Sequence, residues 1–303
     1  MGEGVAQSFA EAGLSVHLID LDQSAIERCL LQIASNLRLS EEFGLLSEPP
    51  DRIASRVVPC AGADILQAVA DCGLVVETVP EVLEIKRELF ARLDAAPATT
   101  ILASNTSSFT ITDIAGGMRT AERVLGMHYF NPAHIIPAVE IHRGARTSDA
   151  VVEAARALLV RAGKIPVLVK KELPGFIINR LTGALEREID YLLDQGVVSP
   201  EDLDRAVKAS LGFRLACLGP MEAEDFIGLD TAARVSRNIF RELSNKTEPS
   251  ALLLEKVERK ELGVKTGQGW YDYRGRTREE VLNERNRRLL RQLALFRAER
   301  IDK

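Results

Sequence analysis

MGEGVAQSFAEAGLSVHLID (1–20) is the stretch on which the fold turns. Residues 3–13 carry apolar side chains at helical spacing and stop at Gly13, the residue type that most readily closes a helix. SVHLID (15–20) then switches to a short apolar run with Val and Ile, a buried strand. Asp22 stands where it can cap a further helix reaching about Leu39. The same alternation continues outward: RVVPC (56–60), LVVET (74–78), TILAS (100–104) and RVLGMHYF (123–130) read as strands, with helices predicted at about 63–71 and 82–95. Strands alternating with helices give βαβ units and a parallel sheet.

After about residue 147 the character changes. Residues 148–162 read as a helix and KIPVLVKK (164–171) as a strand. From Pro174 onward the pattern is almost all helix, at about 174–195, 200–210, 220–243, 250–260 and 277–300. There is no internal repeat and no low-complexity segment. The expected organisation is an α/β domain over 1–171 and an all-α domain over 172–303.

A parallel sheet that binds a dinucleotide opens with a strand, then GxGxxG, then a helix. Here the sequence starts at the helix. Gly2, followed by Glu3-Gly4-Val5-Ala6, matches the last position of that fingerprint, where glycine permits close helix–strand packing. Asp20 stands where an acid ends the second strand and takes ribose hydroxyls. Alone, a helix start and a turn aspartate would look the same. The expectation is therefore a Rossmann-like doubly wound parallel sheet with its first strand absent, as from a start codon assigned late or a fragment. Such a domain is N-terminally truncated and is expected, as written, to bind NAD poorly.

Composition narrows the class. The 303 residues are 46% hydrophobic and 27% charged, the balance of a globular chain that buries a core without disulfides. A net charge of −5 and no long basic run argue against nucleic acid or an anionic membrane as partner. No apolar stretch reaches bilayer length and no signal pattern opens the chain, so a cytoplasmic location is expected. The four cysteines form no CxxC pair and read as small buried thiols. The four histidines do not sit at zinc-site spacings, so no metal is expected.

GMHYFNPAHIIPAVEI (126–141) carries the chemistry. His128 falls at the carboxyl end of a strand, where open α/β sheets place their ligands. Glu140 follows in a second apolar run, and a turn at Asn131-Pro132 lets the chain double back so that the two meet. Hydride transfer from a secondary alcohol needs a base for the hydroxyl proton, and imidazole suits that task near neutral pH. A carboxylate on the other ring nitrogen fixes the tautomer and stabilises the imidazolium. A lone histidine on a strand is more often a satisfied polar residue, but a glutamate inside an apolar run needs a partner. ASNTSS (103–108) follows a strand and is either a plain turn or a set of donors at the top of the sheet.

With VVETVPEVLEIKRELF (75–90), ILASNTSSFTITDIA (101–115), PGFIINRL (174–181), GPMEAEDFIGLD (219–230) and GVKTGQGWYDY (263–273), the chain resembles the 3-hydroxyacyl-CoA dehydrogenases, in order over nearly its whole length. The resemblance implies His128 as catalytic base, Glu140 as its carboxylate partner, Ser107 on the substrate hydroxyl and Asn179 on the substrate carbonyl. It implies Gly2, Asp20, Glu81, Lys86, Asn105 and Asn131 on the side of the cofactor, NAD, with the acid at 20 disfavouring NADP. It further implies a role in fatty acid metabolism, a small-molecule substrate held between the domains, and a homodimer formed through the helical domain.

Departures from the family bear on the substrate. Residues 31–52 (LQIASNLRLSEEFGLLSEPPDR) hold no lysine, two arginines and four acids, a surface poorly suited to the phosphates of CoA. KASLGFRLACLGP (208–220) is closer to relatives acting on free acids, of the gulonate-, carnitine- and pyridine-carboxylate-dehydrogenase types, and there Arg214 is a candidate for a free carboxylate. Three functions stand: oxidation of a short-chain 3-hydroxyacyl-CoA, which leads; the same chemistry on a small free hydroxy acid; and a catalytically silent crystallin-like protein, against which the His128–Glu140 pair argues.

Overall fold

The computed structural model describes residues 1–299 and divides into two compact units. The first comprises residues 1–177 and 286–295; the second holds 178–285. No described helix is long and apolar enough to cross a membrane.

In the first unit the expected alternation is present. Helix α1 (Gly2–Glu11) leads through a left-handed Gly13 into β1 (Val16–Asp20). Asp22 caps α2 (Gln23–Glu42), its Oδ1 accepting from Ser24 N at 2.8 Å. Short helix α3 (Pro50–Ala54) precedes β2 (Val57–Ala61), which pairs in parallel with β1. Asp64 caps α4 (Ile65–Ala68), a single turn where a longer helix was expected. β3 (Leu74–Glu77), α5 (Leu83–Leu93), β4 (Ile101–Ser104), α6 (Ile111–Ile114), β5 (Val124–Tyr129), β6 (Ala138–Arg143), α7 (Asp149–Arg161) and β7 (Ile165–Val169) follow.

β3 to β7 form a five-stranded sheet in chain order, separate from the β1–β2 pair. Val16 of β1 and Leu74 and Val76 of β3 pack against the same core, so the break in the sheet falls between β1 and β3. The sheet is also mixed rather than wholly parallel: β3, β4 and β5 are parallel, β6 runs antiparallel to β5, and β7 is parallel to β6. The physical reason is the short link 130–137, which has no crossover helix and therefore returns the chain antiparallel.

Strand alternation sorts the core into layers. Ile101, Ala103, Leu125, Met127, Val139 and Ile141 pack with Val5 and Phe9 of α1 and with Val152 and Leu159 of α7. Leu102 and Val124 face the other way, onto Phe90, Leu93, Ile111 and Ile114 of α5 and α6. Helices on both faces of a largely parallel sheet define the doubly wound, Rossmann-like class.

The second unit is helical: α8 (Ile178–Asp194), α9 (Pro200–Val207), a π-turn over Lys208–Gly212, α10 (Phe213–Leu215), α11 (Pro220–Ile227), α12 (Leu229–Ile239) and α13 (Ala251–Glu258). Two boundaries differ from expectation for backbone reasons. Gly175 and Phe176 both take positive φ, so α8 begins at Ile178 rather than Pro174. Gly228, at φ 94°, splits the expected helix over 220–243 into α11 and α12. The last helix, α14 (Arg278–Glu299), was expected wholly in the second domain. Its middle, residues 286–295, belongs instead to the first unit, because Leu290 and Leu293 bury against Leu39 and Ile135.

Arg123 closes the end of α5. It is 4% exposed, and its Nη1 and Nη2 donate to the carbonyls of Leu93, Asp94, Ala96, Pro97 and Thr100 at 2.9–3.2 Å. Arg123→Met removes every guanidinium donor; the Leu93 and Pro97 carbonyls keep the backbone amides of Ala96 and Thr100, while the others lose the arginine as partner. The expected loss is about 2–4 kcal/mol by chemical denaturation. Arg123→Lys should restore only part of it, since an ammonium lacks the planar fork.

Candidate active site

The register of β5 and β6 sets the central pair. His128 and Glu140 stand directly opposite across the antiparallel ladder, so their side chains share one face. His128 Nδ1 and Glu140 Oε2 are 2.8 Å apart, with side chains 6% and 1% exposed. Glu140 Oε1 accepts from Ile177 N at 3.1 Å. A carboxylate so deeply buried is tolerable because both oxygens have donors. With Nδ1 committed to Glu140, Nε2 is the nitrogen left to act outward. Phe130 and Phe176 flank the imidazole, with ring centroids at 4.7 and 5.6 Å.

A second buried network lies at the carboxyl ends of β3 and β4. Glu77 accepts from Lys86 Nζ at 2.8 Å, Ser104 Oγ at 2.6 Å and Val79 N at 2.7 Å. Lys86, 1% exposed, also reaches Glu81 Oε2 at 3.1 Å. Glu81 in turn organises the loop after β4: its Oε1 accepts from Thr106 Oγ1 at 2.6 Å, Ser107 N at 2.9 Å, Ser108 N at 3.0 Å and Ser108 Oγ at 2.8 Å. Burial alone would raise the Glu81 pKa; the hydrogen bonds from Thr106 and Ser108 and the Lys86 charge outweigh it and hold the carboxyl at about 2. Asn105 Oδ1 accepts from Tyr129 N at 2.8 Å, which ties this loop to the strand that carries His128.

The sequence-predicted residues thus fall into groups. His128 and Glu140 meet. Ser107 and Asn105 lie on the loop that Glu81 and Lys86 brace, and Asn131 is exposed three residues beyond His128. Asp20 ends β1 exposed, with Oδ1 accepting from Asp22 N at 2.9 Å. A Cβ on Gly2 would stand 3.0 Å from Thr78 Oγ1 at the end of β3, so glycine lets the start of α1 approach the sheet closely. Asn179 lies on the first turn of α8, in the second unit.

Three residues escaped the sequence reading. Glu77 appeared only as a strand end, yet it anchors Lys86 and Ser104. Gly4 was read within the glycine fingerprint, but its missing Cβ would lie 3.0 Å from both Ala133 Cβ and His134 N, so it seats α1 on the loop after His128. His142 lies two residues beyond Glu140 on the same face, 1% exposed, with Nε2 3.8 Å from Glu140 Oε2. Burial lowers the His142 pKa to about 4, despite the Glu140 charge and with that of His128 adding to the fall, so its imidazole is neutral near pH 7. The period-2 alternation of AVEIHR held the signal for His142.

Fold and site define a class, the nicotinamide-dependent oxidoreductases. Residues 1–173 match the family described as 3-hydroxyacyl-CoA dehydrogenase, NAD binding domain, and residues 175–273 its C-terminal domain. The chain belongs to the 3-hydroxyacyl-CoA dehydrogenase family and is an NAD-dependent oxidoreductase. It is 35% identical over 298 residues to 5-formyl-3-hydroxy-2-methylpyridine 4-carboxylate 5-dehydrogenase of Mesorhizobium japonicum, covering 96% of this chain and 93% of that one. It is 37% identical over 278 residues to 3-hydroxybutyryl-CoA dehydrogenase of Bradyrhizobium diazoefficiens, covering 91% and 92%. Among solved structures, a 5-formyl-3-hydroxy-2-methylpyridine 4-carboxylic acid 5-dehydrogenase, an NAD+-dependent dismutase, superposes with TM-score 0.88 at 35% identity, covering 97% of this chain and 95% of that one. The residues present fit NAD: Asp20 offers an exposed carboxylate for ribose hydroxyls, and the start of α1 at Gly2, without a side-chain cap, offers amides where a Cβ would intrude.

Two measurements test this site. Because the Glu81 pKa is depressed, its stabilisation is fully present above the ordinary carboxyl pKa of 4.5 and is lost as pH falls from there toward about 2. Glu81→Gln should therefore lower stability clearly at pH 7 and much less near pH 2.5, read by denaturant titration of both proteins at both pH values. Gly4→Val should lower stability by about 1–3 kcal/mol in the same assay, since Ala133 and the His134 backbone leave no space.

Proposed function

We propose that this chain oxidises the hydroxyl-bearing carbon of a small free carboxylic acid, with His128 as base. The observation that carries the chemistry is the 2.8 Å contact between His128 Nδ1 and Glu140 Oε2 on a buried face at the end of β5. Bound NAD supplies the hydride acceptor. His128 Nε2 takes the hydroxyl proton, and Glu140 stabilises the imidazolium that results. Glu81 and Lys86 hold the 105–108 loop still, so that Ser107 Oγ orients the substrate hydroxyl. Asn179 is assigned to the substrate carbonyl, and Asn105 and Asn131 to the cofactor side. In the reverse direction the protonated His128 returns the proton to a carbonyl oxygen.

The free-acid reading draws support from the surface of α2 and α3. Glu48 pairs with Arg52 at 2.9 Å and Arg56 at 2.7 Å, and Glu42 with Arg287 at 2.5 Å, so these three arginines already have carboxylate partners. A polyphosphate carrier would have to compete for them. The extent of the likeness to the pyridine-carboxylate dehydrogenases points the same way. A short-chain 3-hydroxyacyl-CoA remains the second reading, favoured by 37% identity to a 3-hydroxybutyryl-CoA dehydrogenase.

The second unit supports a homodimer. Helices α8 to α13 bury no residue among themselves, and Leu181, Phe213, Met221, Phe226, Leu229 and Phe240 are each more than half exposed. A soluble chain covers so many large apolar groups by association.

Initial rates of NAD reduction with 5-formyl-3-hydroxy-2-methylpyridine 4-carboxylate, whose hydrated aldehyde presents the hydroxyl-bearing carbon, and with 3-hydroxybutyrate, gulonate, carnitine and 3-hydroxybutyryl-CoA separate the two substrate readings. The proposal expects a free acid to give the highest kcat/KM; a CoA thioester ahead of every acid would overturn it. His128→Gln should cut kcat by about 10²–10⁴-fold with the fold intact. Near-normal turnover by that variant would remove His128 from the reaction.

A further inference from the structure

His142 is a buried group that the proposed chemistry does not use. It is 1% exposed, and neither ring nitrogen has a hydrogen-bond partner among the described residues. An orphaned buried imidazole is destabilising, because its desolvated nitrogens gain nothing in return. Yet the fold makes room for it: Gly126 lies opposite in the ladder, where a Cβ would stand 3.0 Å from both His142 Cβ and Cδ2. The Phe176 ring covers the imidazole, with centroids 3.5 Å apart, from a backbone held at φ 53°. Space for His142 is thus provided on both sides, and its nitrogens are left for something other than protein.

We propose that His128, Glu140 and His142 bind a divalent transition-metal cation of the zinc class, and that this binding reversibly silences the enzyme. The ligand atoms of the three side chains lie within 4.8 Å of one another. Glu140 Oε2 is shared, 2.8 Å from His128 Nδ1 and 3.8 Å from His142 Nε2. Tetrahedral ligands about 2.1 Å from zinc stand about 3.4 Å apart, and the two distances bracket that value. Two neutral imidazoles and one carboxylate are a donor set that zinc takes readily, with a fourth position left for water.

The exchange balances in protons and charge. The cation enters, the proton on His128 Nδ1 moves by way of solvent to Nε2 so that Nδ1 becomes a donor and the ring stays neutral, no net proton is released, and no electron moves. His128 then cannot hold the tautomer that leaves Nε2 free to accept a substrate proton while Glu140 stabilises the charge. The inhibitory half of the proposal rests on His128 being the base; the binding half does not.

The test uses the full chain stripped with EDTA. Calorimetric titration with zinc chloride should show one site per chain, and cobalt(II) should give the visible absorption of a four-coordinate ion. His142→Val should weaken zinc binding by at least about 100-fold, as befits loss of a direct ligand, with melting curves checking that it is folded. His128→Gln should weaken it likewise. A second cluster, His17, Asp71 and Cys72, is the control, since its ligand atoms also lie within 4.8 Å of one another. Zinc binding lost in Cys72→Ser but kept in His142→Val, or no site at all, would overturn the proposal. Zinc bound at His142 without inhibition would keep the site and remove His128 as base.

Discussion

A carboxylate buried at 1% exposure can persist only if something positive or polar faces it, and in this chain that something is the imidazole directly across the ladder. The need constrains much of the first unit. β6 has to run antiparallel to β5 with His128 opposite Glu140, because a register shift of one residue would put the two groups on different faces of the sheet. The link 130–137 has to be short, and the strands that sandwich the pair have to be apolar enough to keep water out. Val139 and Ile141, on the face opposite Glu140, and Met127, beside His128, supply that second face by packing on α1 and α7.

The loop after β4 meets a related constraint with different means. Lys86 is as buried as Glu140, and it is held between two carboxylates, Glu77 and Glu81. One of these is locked inside by Ser104, and the other reaches out to gather the amides and hydroxyls of residues 106–108. A charge network therefore carries position from the inside of the sheet to the loop after β4. The loop needs no rigid secondary structure of its own, because Glu81 supplies a common acceptor.

Much of this was legible in the sequence, for identifiable reasons. The strands appeared because buried parallel strands are continuous apolar runs, and the first helices because Gly13 and Asp22 mark their ends. His128 and Glu140 could be paired because a turn at Asn131-Pro132 separated two apolar runs of strand length. Other features were hidden. The role of Glu77 depends on a contact with Ser104, twenty-seven residues away, that no local pattern encodes. The seat of Gly4 depends on what lies above it, the backbone of residues 133 and 134. The capture of residues 286–295 by the first unit depends on Leu290 and Leu293 finding Leu39, a pairing across most of the chain. His142 was passed over because ligand spacing was judged along the sequence, whereas the strand alternation places it beside Glu140 in space.

Proton NMR of the histidine ring nitrogens tests the central pairing most directly. A His128 Nδ1–H donated to a buried carboxylate should give a far-downfield resonance, slow to exchange with solvent. It should vanish in both His128→Gln and Glu140→Ala while the rest of the spectrum stays that of a folded protein. A spectrum with no such resonance, or one that survives in Glu140→Ala, would contradict the pairing on which the site is built.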